Sequence, residues 1–278
     1  MNNLPGRLMR NIHLRASLGI GIGIVLFFML VSIFASLISP YDPTTQNLLA
    51  TLQTPSLTHL FGTDALGRDI LSRVIHGTSF ELIVVLPAVT TGILLALPAG
   101  LLAGYRGGWI DRVVSWISDS VLTFPAMVLA IVLVAVLGSG FFTLILAIVA
   151  TQAPQMVRYI RGFTVQVRSA DYVMAARASG SKASSILIRH VLPNILGPIM
   201  VILSLFASEA LLIIAALGFL GIGAQPPAPE WGTMLSEGRI DFLAAPHVML
   251  FPGIAIALLI LGFNLLGDGL RDFLDKRS

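Results

Sequence analysis

The sequence predicts an all-α membrane protein that crosses the bilayer six times. Of its 278 residues, 56% are hydrophobic and only 11% are charged, whereas charged residues make up about 25% of a soluble domain. Six apolar stretches are long enough to cross the hydrocarbon core, which takes about 20 residues in helical form. Because no stretch is polar enough to form a separate soluble domain, we expect one membrane domain.

The positions of lysine and arginine predict that both ends of the chain lie in the cytoplasm. With the N-terminus inside, all of the 17 lysine and arginine residues except Arg68, Arg73 and Arg239 fall in cytoplasmic segments, as the positive-inside rule requires. The predicted order is a cytoplasmic N-terminus 1–16, span 17–38, outer segment 39–81, spans 82–105, 113–137 and 141–157, cytoplasmic loop 158–194, span 195–223, outer loop 224–247, span 248–267 and a cytoplasmic C-terminus 268–278.

The outer segment 39–81 is expected to carry a helix that lies on the membrane surface. Thr63 or Asp64 can cap this helix, and Asp69 and Arg73, one turn apart, are expected to pair. Its apolar residues share one helical face. They are Leu66, Ile70, Leu71, Val74 and Ile75.

Proline and glycine are frequent inside the spans. We expect the prolines to be tolerated there, because neighbouring helices can satisfy the freed backbone groups. These prolines are Pro87, Pro98, Pro125 and Pro252. Glycines at four-residue spacing, Gly19 with Gly23 and Gly100 with Gly104, predict close helix packing. The alternative role for these residues is a moving hinge.

The most informative feature is a polar loop, QVRSADYVMAARASGSKASSILIRHVLPN, at residues 166–194. Ser169 or Asp171 is expected to cap a short helix that ends at Gly180. A second short helix follows, and Pro193 terminates it. The loop is too structured for a simple connection, which indicates that something docks there.

Small side chains form a knob between the arginines of this loop. Ala175, Ala176 and Ala178 make up the knob, and Ser181 starts the second helix. A knob without bulky side chains can enter a groove on a partner, and the arginines around it can pair with acidic groups. The alternative is a pair of amphipathic helices that lie on the membrane. The residues alone leave both possibilities open.

The segment DYVMAARASGSKASSILIRHVLPN resembles the EAA loop of ABC importer permeases, the site that docks on the cytoplasmic ATPase. The first residue of the family's triad is usually Glu, and here Met174 stands in its place. That change removes one charge but leaves the small-residue knob intact. By this resemblance, the docking residues are Asp171, Tyr172, Met174, Ala175, Ala176, Arg177, Gly180 and Ser181.

Three further stretches narrow the resemblance to the C-type subunit of the peptide and nickel permeases. They are FGTDALGRDILSRVIHG at 61–77, AALGFLGIGAQPPAPEWGTML at 215–235 and FNLLGDGLRDFLD at 263–275. The resemblance implies the type I ABC importer (MetI-like) permease fold. Residues 82–271 would form the permease core, and the first span would wrap around a partner.

The resemblance also implies partners and a location. A homologous B-type permease would complete the translocation pathway, two cytoplasmic ATPases would drive it, and an extracytoplasmic binding protein would deliver the cargo. The location implied is the bacterial inner membrane. ATP and Mg would be bound by the ATPases, so no cofactor is expected in this chain. The cargo would be a dipeptide, an oligopeptide, nickel or a metal-chelator complex.

Membrane topology explains the net charge of +3, so we expect no nucleic acid partner.

Glu209 is an acidic residue inside the predicted fifth span. A charge at mid-bilayer costs at least about 2.5–3.5 kcal/mol, so we expect Glu209 to face the protein interior or a watery path. Related permeases often have an acidic residue one turn later, where Ile213 lies here. Because residues four apart share a helical face, both are expected to belong to the translocation path. The alternative for Glu209 is a structural hydrogen bond.

The remaining polar features do not predict a catalytic site. Residues 180–184 lack the Gly-Lys-Ser/Thr of a phosphate loop, and no histidine lies within a predicted span to activate Ser139 as a nucleophile. The histidines are too scattered for a metal cluster, and cysteine is absent. We therefore expect a transport subunit without enzymatic activity of its own. Its rival is a self-contained secondary transporter or channel, which needs its own coupling-ion site or proton relay.

Overall fold

The computed structural model describes the backbone of residues 4–275 and the side chains of residues 17–274. Within that part of the chain there is no β-strand, and a single isolated bridge joins Thr63 and Asp69. The predicted all-α class is confirmed. The ends of the two predicted cytoplasmic termini, 1–3 and 276–278, lie outside the described residues.

Eleven α-helices occupy the described residues. They are α1 (Leu4–Ile33), α2 (Ala35–Ile38), α3 (Ile70–Arg106), α4 (Gly108–Leu122), α5 (Ala126–Leu137), α6 (Phe141–Arg168), α7 (Asp171–Ala178), α8 (Ala183–Ile186), α9 (Leu192–Phe219), α10 (Trp231–Gly238) and α11 (His247–Asp275). A 3-10 turn lies at Leu48–Ala50, and a π turn at Leu187–Val191 joins α8 to α9. In length and apolarity α3, α6, the joined α8–α9 and α11 can each cross a membrane, and the bent pair α4–α5 brings the number to five when it is counted as one span. The apolar part of α1, Ser17–Ile33, is shorter and corresponds to the remaining one of the six predicted spans.

The outer surface helix and the second span are one helix, α3. It begins at Ile70 because Asp69 caps it, with the Ser72 backbone N–H donating to the Asp69 carboxylate at 2.8 Å. The prediction that Thr63 or Asp64 caps a separate surface helix is therefore wrong. The sequence signal was ambiguous because several cap-forming residues stand close together before the first apolar turn.

Buried charges fasten the outer segment to α10. Arg68 donates to Asp64 and to Glu237, each at 2.7 Å. Arg73 donates to the same Glu237 oxygen at 2.9 Å and also to Asp64. Both arginines are at most 3% exposed. The predicted pairing of Arg73 with Asp69 is wrong, because Asp69 turns back to cap α3.

The predicted straight span 113–137 is broken. Helices α4 and α5 meet at an angle of 81°, and Pro125 stands immediately before α5. A proline lacks the N–H that would continue the helical ladder, and it disfavours helical backbone in the residue before it. Pro125 therefore lies at the break between two helices, whereas the other three span prolines lie inside helices.

Helices α3 and α6 make the most extensive contact in the core. A Cβ added at Gly100 would lie 2.8 Å from the Cβ of Ile160, and one added at Gly104 would lie 2.6 Å from the Cβ of Thr164. The predicted close packing of these two glycines is confirmed. Their lack of a side chain lets the two helix backbones approach each other.

The first span packs against α11 and α3 of its own chain. Its close contact is made by Gly21, where an added Cβ would lie 2.5 Å from the backbone nitrogen of Leu266. Gly19 and Gly23 make no such contact within this chain, since a Cβ added at either would meet no atom within 4 Å; their predicted close packing stays a prediction for the partner. Other apolar side chains of the first span, such as Phe27 at 60% exposed, are accessible to the predicted partner.

Candidate functional site

The two-helix segment, residues 169–191, follows α6 and precedes α9. Its first helix, α7, begins at Asp171 with Ala170 in the N-cap position, so the prediction that Ser169 or Asp171 caps it is wrong. The Ser169 hydroxyl instead donates to the Gln166 carbonyl at 2.8 Å and completes the end of α6. Asp171 lies in the first turn of α7, where its negative charge suits the helix dipole.

Gly180 ends α7 as predicted. Its φ of +78° lies in the left-handed region, which glycine adopts without steric penalty. The Gly180 N–H donates to the Arg177 carbonyl at 3.0 Å, and the Ser181 N–H donates to the Ala176 carbonyl at 3.1 Å. These two bonds form a Schellman motif. Open space surrounds Gly180, so the turn rather than packing requires glycine there.

The second helix continues into α9. The predictions that it starts at Ser181 and stops at Pro193 are both wrong, since it starts at Ala183 and runs into α9 through the π turn. In that turn the Leu192 N–H bonds to the Leu187 carbonyl, five residues back. The wider turn accommodates the proline ring without breaking the helix. Residues 183–219 therefore form one helical rod.

One face of the two-helix segment rests on the ends of α3 and α6. Val173 is fully buried in this base. The Arg177 guanidinium lies 5.2 Å from the centre of the Tyr105 ring at the end of α3, which is a cation–π contact. Arg168 at the end of α6 donates to the Gly104 carbonyl at 2.7 Å. These contacts fix the segment to the membrane core.

Most of the remaining surface of the segment is exposed, including part of Arg177. Ala176 is half-buried, and the other seven residues predicted for docking are exposed. The exposed residues are Asp171, Tyr172, Met174, Ala175, Arg177, Gly180 and Ser181. The Met174 side chain is 52% exposed and that of Tyr172 is 46% exposed. The structure thus presents small alanines between two larger side chains that reach away from the core.

The structure separates the two residues predicted for the translocation path. Glu209 in α9 is half-buried, whereas Ile213 is 3% exposed and belongs to the core. Four residues carry a helix about 40° past a full turn, and that rotation takes Ile213 to the buried side. The open strip of α9 beside Glu209 instead contains Leu205 and Leu212, 47% and 52% exposed.

A cavity of about 620 Å³ lies between α6, α9 and α11. Its wall includes Tyr159, Leu205 and a single charged side chain, Arg271. Leu205 is one helical turn from Glu209. Glu209 itself is not among the residues that line the cavity.

The end of the bundle opposite the two-helix segment holds polar arrangements that sequence reasoning missed. One is the cluster of Arg68 and Arg73 with their acidic partners. The other is a pair of glutamates, Glu81 and Glu230, both 0% exposed. The sequence gives little indication of this pair, because an acidic residue beside an apolar stretch is also what the boundary of an ordinary span looks like. The described residues contain no group of three or more His, Asp or Glu that could hold a metal ion.

The chain matches two family models. Residues 96–278 match the family described as binding-protein-dependent transport system inner membrane component. Residues 19–55 match the family described as the N-terminal TM domain of oligopeptide transport permease C. The first model covers the end of α3 and everything from α4 to α11, including the two-helix segment, and the second covers the first span and the start of the outer segment.

Several curated proteins are similar over most of their length. The dipeptide transport system permease protein DppC of Alkalihalophilus pseudofirmus is 44% identical over 258 residues, which cover 93% of this chain and 85% of that protein. The glutathione transport system permease protein GsiD of Pectobacterium atrosepticum is 41% identical over 266 residues, covering 95% and 88%. The protein of that name from Escherichia coli O157:H7 is 43% identical over 254 residues, covering 91% and 84%.

Proposed function

Because the chain belongs to the family of binding-protein-dependent transport system inner membrane components and is a permease subunit of a peptide-type ABC importer, we propose that its two-helix segment docks on a cytoplasmic ATPase. The observation that carries the proposal is the division of this segment into two faces. Val173 anchors one face in the core, and the other leaves Ala175 and its neighbours exposed. An exposed surface of small alanine side chains can fit into a groove on a partner protein.

The helical rod 183–219 supports a mechanism for coupling. ATP binding closes the ATPase dimer and moves the two-helix segment that docks on it. Because α8 continues into α9, the displacement passes along the rod to Glu209 without a flexible joint. A B-type permease supplies the second half of the pathway, and hydrolysis resets the arrangement. ATP and Mg belong to the ATPases in this mechanism.

A bulky side chain on the knob tests the docking proposal. Ala175→Trp adds an indole to an exposed position without a role in the core, so the permease should fold normally but retain the ATPases poorly when it is purified from membranes. Ala244→Trp, at an exposed position on the outer side, is the matched control. Equal recovery of the ATPases with both variants would reject the docking surface.

We propose that both termini and the two-helix segment lie in the cytoplasm. The chain has no cysteine, so a single introduced thiol can be labelled without background. Ala178→Cys should react with a membrane-impermeant maleimide only in inside-out vesicles, and Thr54→Cys only in right-side-out vesicles; both positions are exposed. The reverse pattern would overturn the orientation.

We propose that the cargo is a short peptide delivered by an extracytoplasmic binding protein. The support for this proposal is that one relative is named as a dipeptide permease and another as a glutathione permease. Both substrates are peptides of a few residues. Uptake by the assembled importer should be measured with a labelled dipeptide, glutathione and radioactive nickel. Peptide uptake is the expected result, and uptake of nickel alone would replace this substrate class with the metal.

We propose that Glu209 belongs to the translocation path. It lies half-buried beside the open strip of α9, one turn from the cavity wall at Leu205. Glu209→Gln should lower uptake while leaving the complex assembled. Leu212→Ala on the same strip is the control for a change of shape without a change of charge. Unchanged uptake in Glu209→Gln would remove this residue from the path.

A self-contained secondary transporter makes the opposite prediction about energy. Uptake by the purified complex in proteoliposomes should require ATP on the side of the two-helix segment. It should stop when the partner ATPases carry an inactive nucleotide site. Uptake driven by an ion gradient through this chain alone would favour the rival.

A further inference from the structure

Two glutamate side chains meet at the first turn of α10. Glu81 comes from α3, and Glu230 is the N-cap residue of α10. Glu81 accepts from the Trp231 N–H, and Glu230 accepts from the N–H groups of the next two residues, Gly232 and Thr233, so the two buried carboxyl groups lie at the same turn. Ionised carboxylates are acceptors only, so two of them can share a hydrogen bond only when one carries a proton.

The hydrogen-bond donors around the pair are unevenly divided. Glu230 accepts from the Gly232 N–H at 2.6 Å, from the Thr233 N–H at 2.8 Å and from the Thr233 hydroxyl at 2.5 Å. Glu81 Oε1 accepts from the Trp231 N–H at 3.3 Å, a longer bond, and Glu81 Oε2 is buried with no donor. Glu230 therefore occupies the place where a negative charge is better stabilised, at the positive end of the helix dipole.

The two carboxyl groups cannot both be ionised at low cost. Burial raises the pKa of Glu230, although hydrogen bonds from Thr233 and Gly232 act against that effect. Two carboxylates that share a buried site disfavour each other's charge, so one of them retains a proton. The group with more donors keeps the charge. The donor-free Oε2 of Glu81 is then the atom where a proton completes the hydrogen bonding.

We propose that Glu81 and Glu230 form a proton-binding site that joins α3 to α10. Glu81 holds one proton at neutral pH and donates it from Oε2 to the ionised carboxylate of Glu230. The proton is the ligand of this site, and without it α3 and α10 would meet through two negative charges. The bridge positions α10, whose far end carries Glu237 and its contacts with Arg68 and Arg73.

Neighbouring helices pack closely against the pair and against Trp231 beside it. A Cβ added at Gly218 of α9 would lie 2.0 Å from Glu230 Oε2, and one added at Gly77 of α3 would lie 2.5 Å from Trp231 Nε1. Phe28 of α1 packs edge-on against the Trp231 ring at 5.9 Å between centroids. Among the described residues, the titratable group that acts on either glutamate is the other glutamate.

Infrared difference spectroscopy of the purified importer in lipid nanodiscs tests the site directly. The wild-type spectrum minus that of Glu81→Gln should contain the carbonyl stretch of a protonated carboxylic acid at neutral pH. Glu209→Gln removes the other glutamate that lies within a span and should leave this band in place. A wild-type minus Glu81→Gln spectrum without the band would overturn the proposal.

A second variant keeps the test valid if Glu81→Gln fails to assemble. Glu230→Gln replaces the ionised acceptor of the Glu81 proton by a neutral amide, while Glu81 itself stays buried. The infrared band of the protonated carboxyl group should therefore shift in frequency in this variant. An unshifted band would show that Glu81 does not donate its proton to Glu230.

The pH dependence of stability gives an independent readout. A carboxyl group that keeps its proton only in the folded chain stabilises the fold fully below its ordinary range, about pH 4, and this stabilisation declines as the pH rises. The amide of Glu81→Gln donates at every pH. The thermal midpoint should therefore fall more in wild type than in Glu81→Gln between about pH 4 and about pH 9. Parallel curves would contradict the proposal. Neither readout depends on ATPase docking.

Discussion

The two-helix segment and the outer end of the bundle differ in how their polar and small residues are used. In the two-helix segment, α7 buries one residue, Val173, and leaves its alanine knob open. At the outer end, Arg68, Arg73 and Glu81 are buried and joined to partners on α10. Polar side chains that are buried and paired within one chain stabilise that chain. Side chains that stay exposed on an anchored helix are instead available to bind another protein.

Removal of Arg73 should have the largest effect. Its guanidinium is 1% exposed and contacts both Asp64 and Glu237. Breaking a buried charge pair from one side costs about 3–5 kcal/mol, because the remaining charges lose their partner. Arg73→Ala should therefore strongly lower the thermal midpoint of the purified complex. Arg239→Ala, an exposed arginine on the same side, should change it little. A similar shift in both variants would show that the buried network does not stabilise the outer end.

A methyl group at Gly218 should have the next largest effect. Its Cβ would overlap the carboxylate of Glu230, and overpacking of this kind costs about 1–3 kcal/mol. The control is Gly162→Ala in α6, where no atom lies within 4 Å of the added carbon. That change should be neutral or stabilise the helix by up to about 1 kcal/mol. Thermal unfolding of both variants checks the contrast, and equal stabilities would contradict the close contact between α9 and α10.

Substitution of Gly180 should affect coupling more than folding. A left-handed backbone conformation costs an ordinary L-residue about 1–2 kcal/mol, and a bulky side chain there would change the exit from α7. Gly180→Val should therefore uncouple ATP hydrolysis from uptake or weaken ATPase binding, whereas Gly180→Asn, which tolerates this conformation better, should retain more activity. Normal uptake and normal ATPase recovery in Gly180→Val would count against the two-helix segment as the coupling element.

Substitution of Met174 should have the smallest effect on stability. Met174 is 52% exposed and belongs to the exposed surface of α7. Substitutions of such surface residues usually change the free energy of unfolding by less than about 0.5 kcal/mol. Met174→Glu installs the residue that the resemblance leads one to expect, in the N-terminal half of α7 where a negative charge is favourable. The thermal midpoint and the recovery of ATPases should both match wild type. A loss of ATPases would indicate that the partner groove is matched to methionine.

The apolar stretches predicted the fold because a helix needs about 20 apolar residues to cross the hydrocarbon core, and that length can be read directly from the sequence. The breaks and joins could not be predicted in the same way. Pro125 breaks a span, while Pro193 lies inside a continuous rod because the π turn before it widens the helix. A local pattern does not show whether neighbouring helices will support a kink or a turn. For the same reason, Asp69 rather than Asp64 caps α3, since Asp64 accepts hydrogen bonds from Arg68 and Arg73, which also contact the distant Glu237.

The candidate site was predictable where the turn chemistry is local. Gly180 ends α7 through backbone bonds to residues within the same helix, and the small residues before it are visible in the sequence. The pairing of Glu81 with Glu230 depends instead on helices far apart in the chain. The burial of Ile213 likewise depends on which side of α9 faces the core, and that is decided by packing partners rather than by helical spacing.

Protection of Ala175→Cys is the most direct test of the account. In inside-out vesicles, the maleimide labelling rate of this single thiol should be low while the ATPases are bound and should rise several-fold when they are stripped away. Thr54→Cys in right-side-out vesicles should react at the same rate in both states. An Ala175→Cys labelling rate that is unaffected by the ATPases would contradict the claim that the two-helix segment is their docking surface.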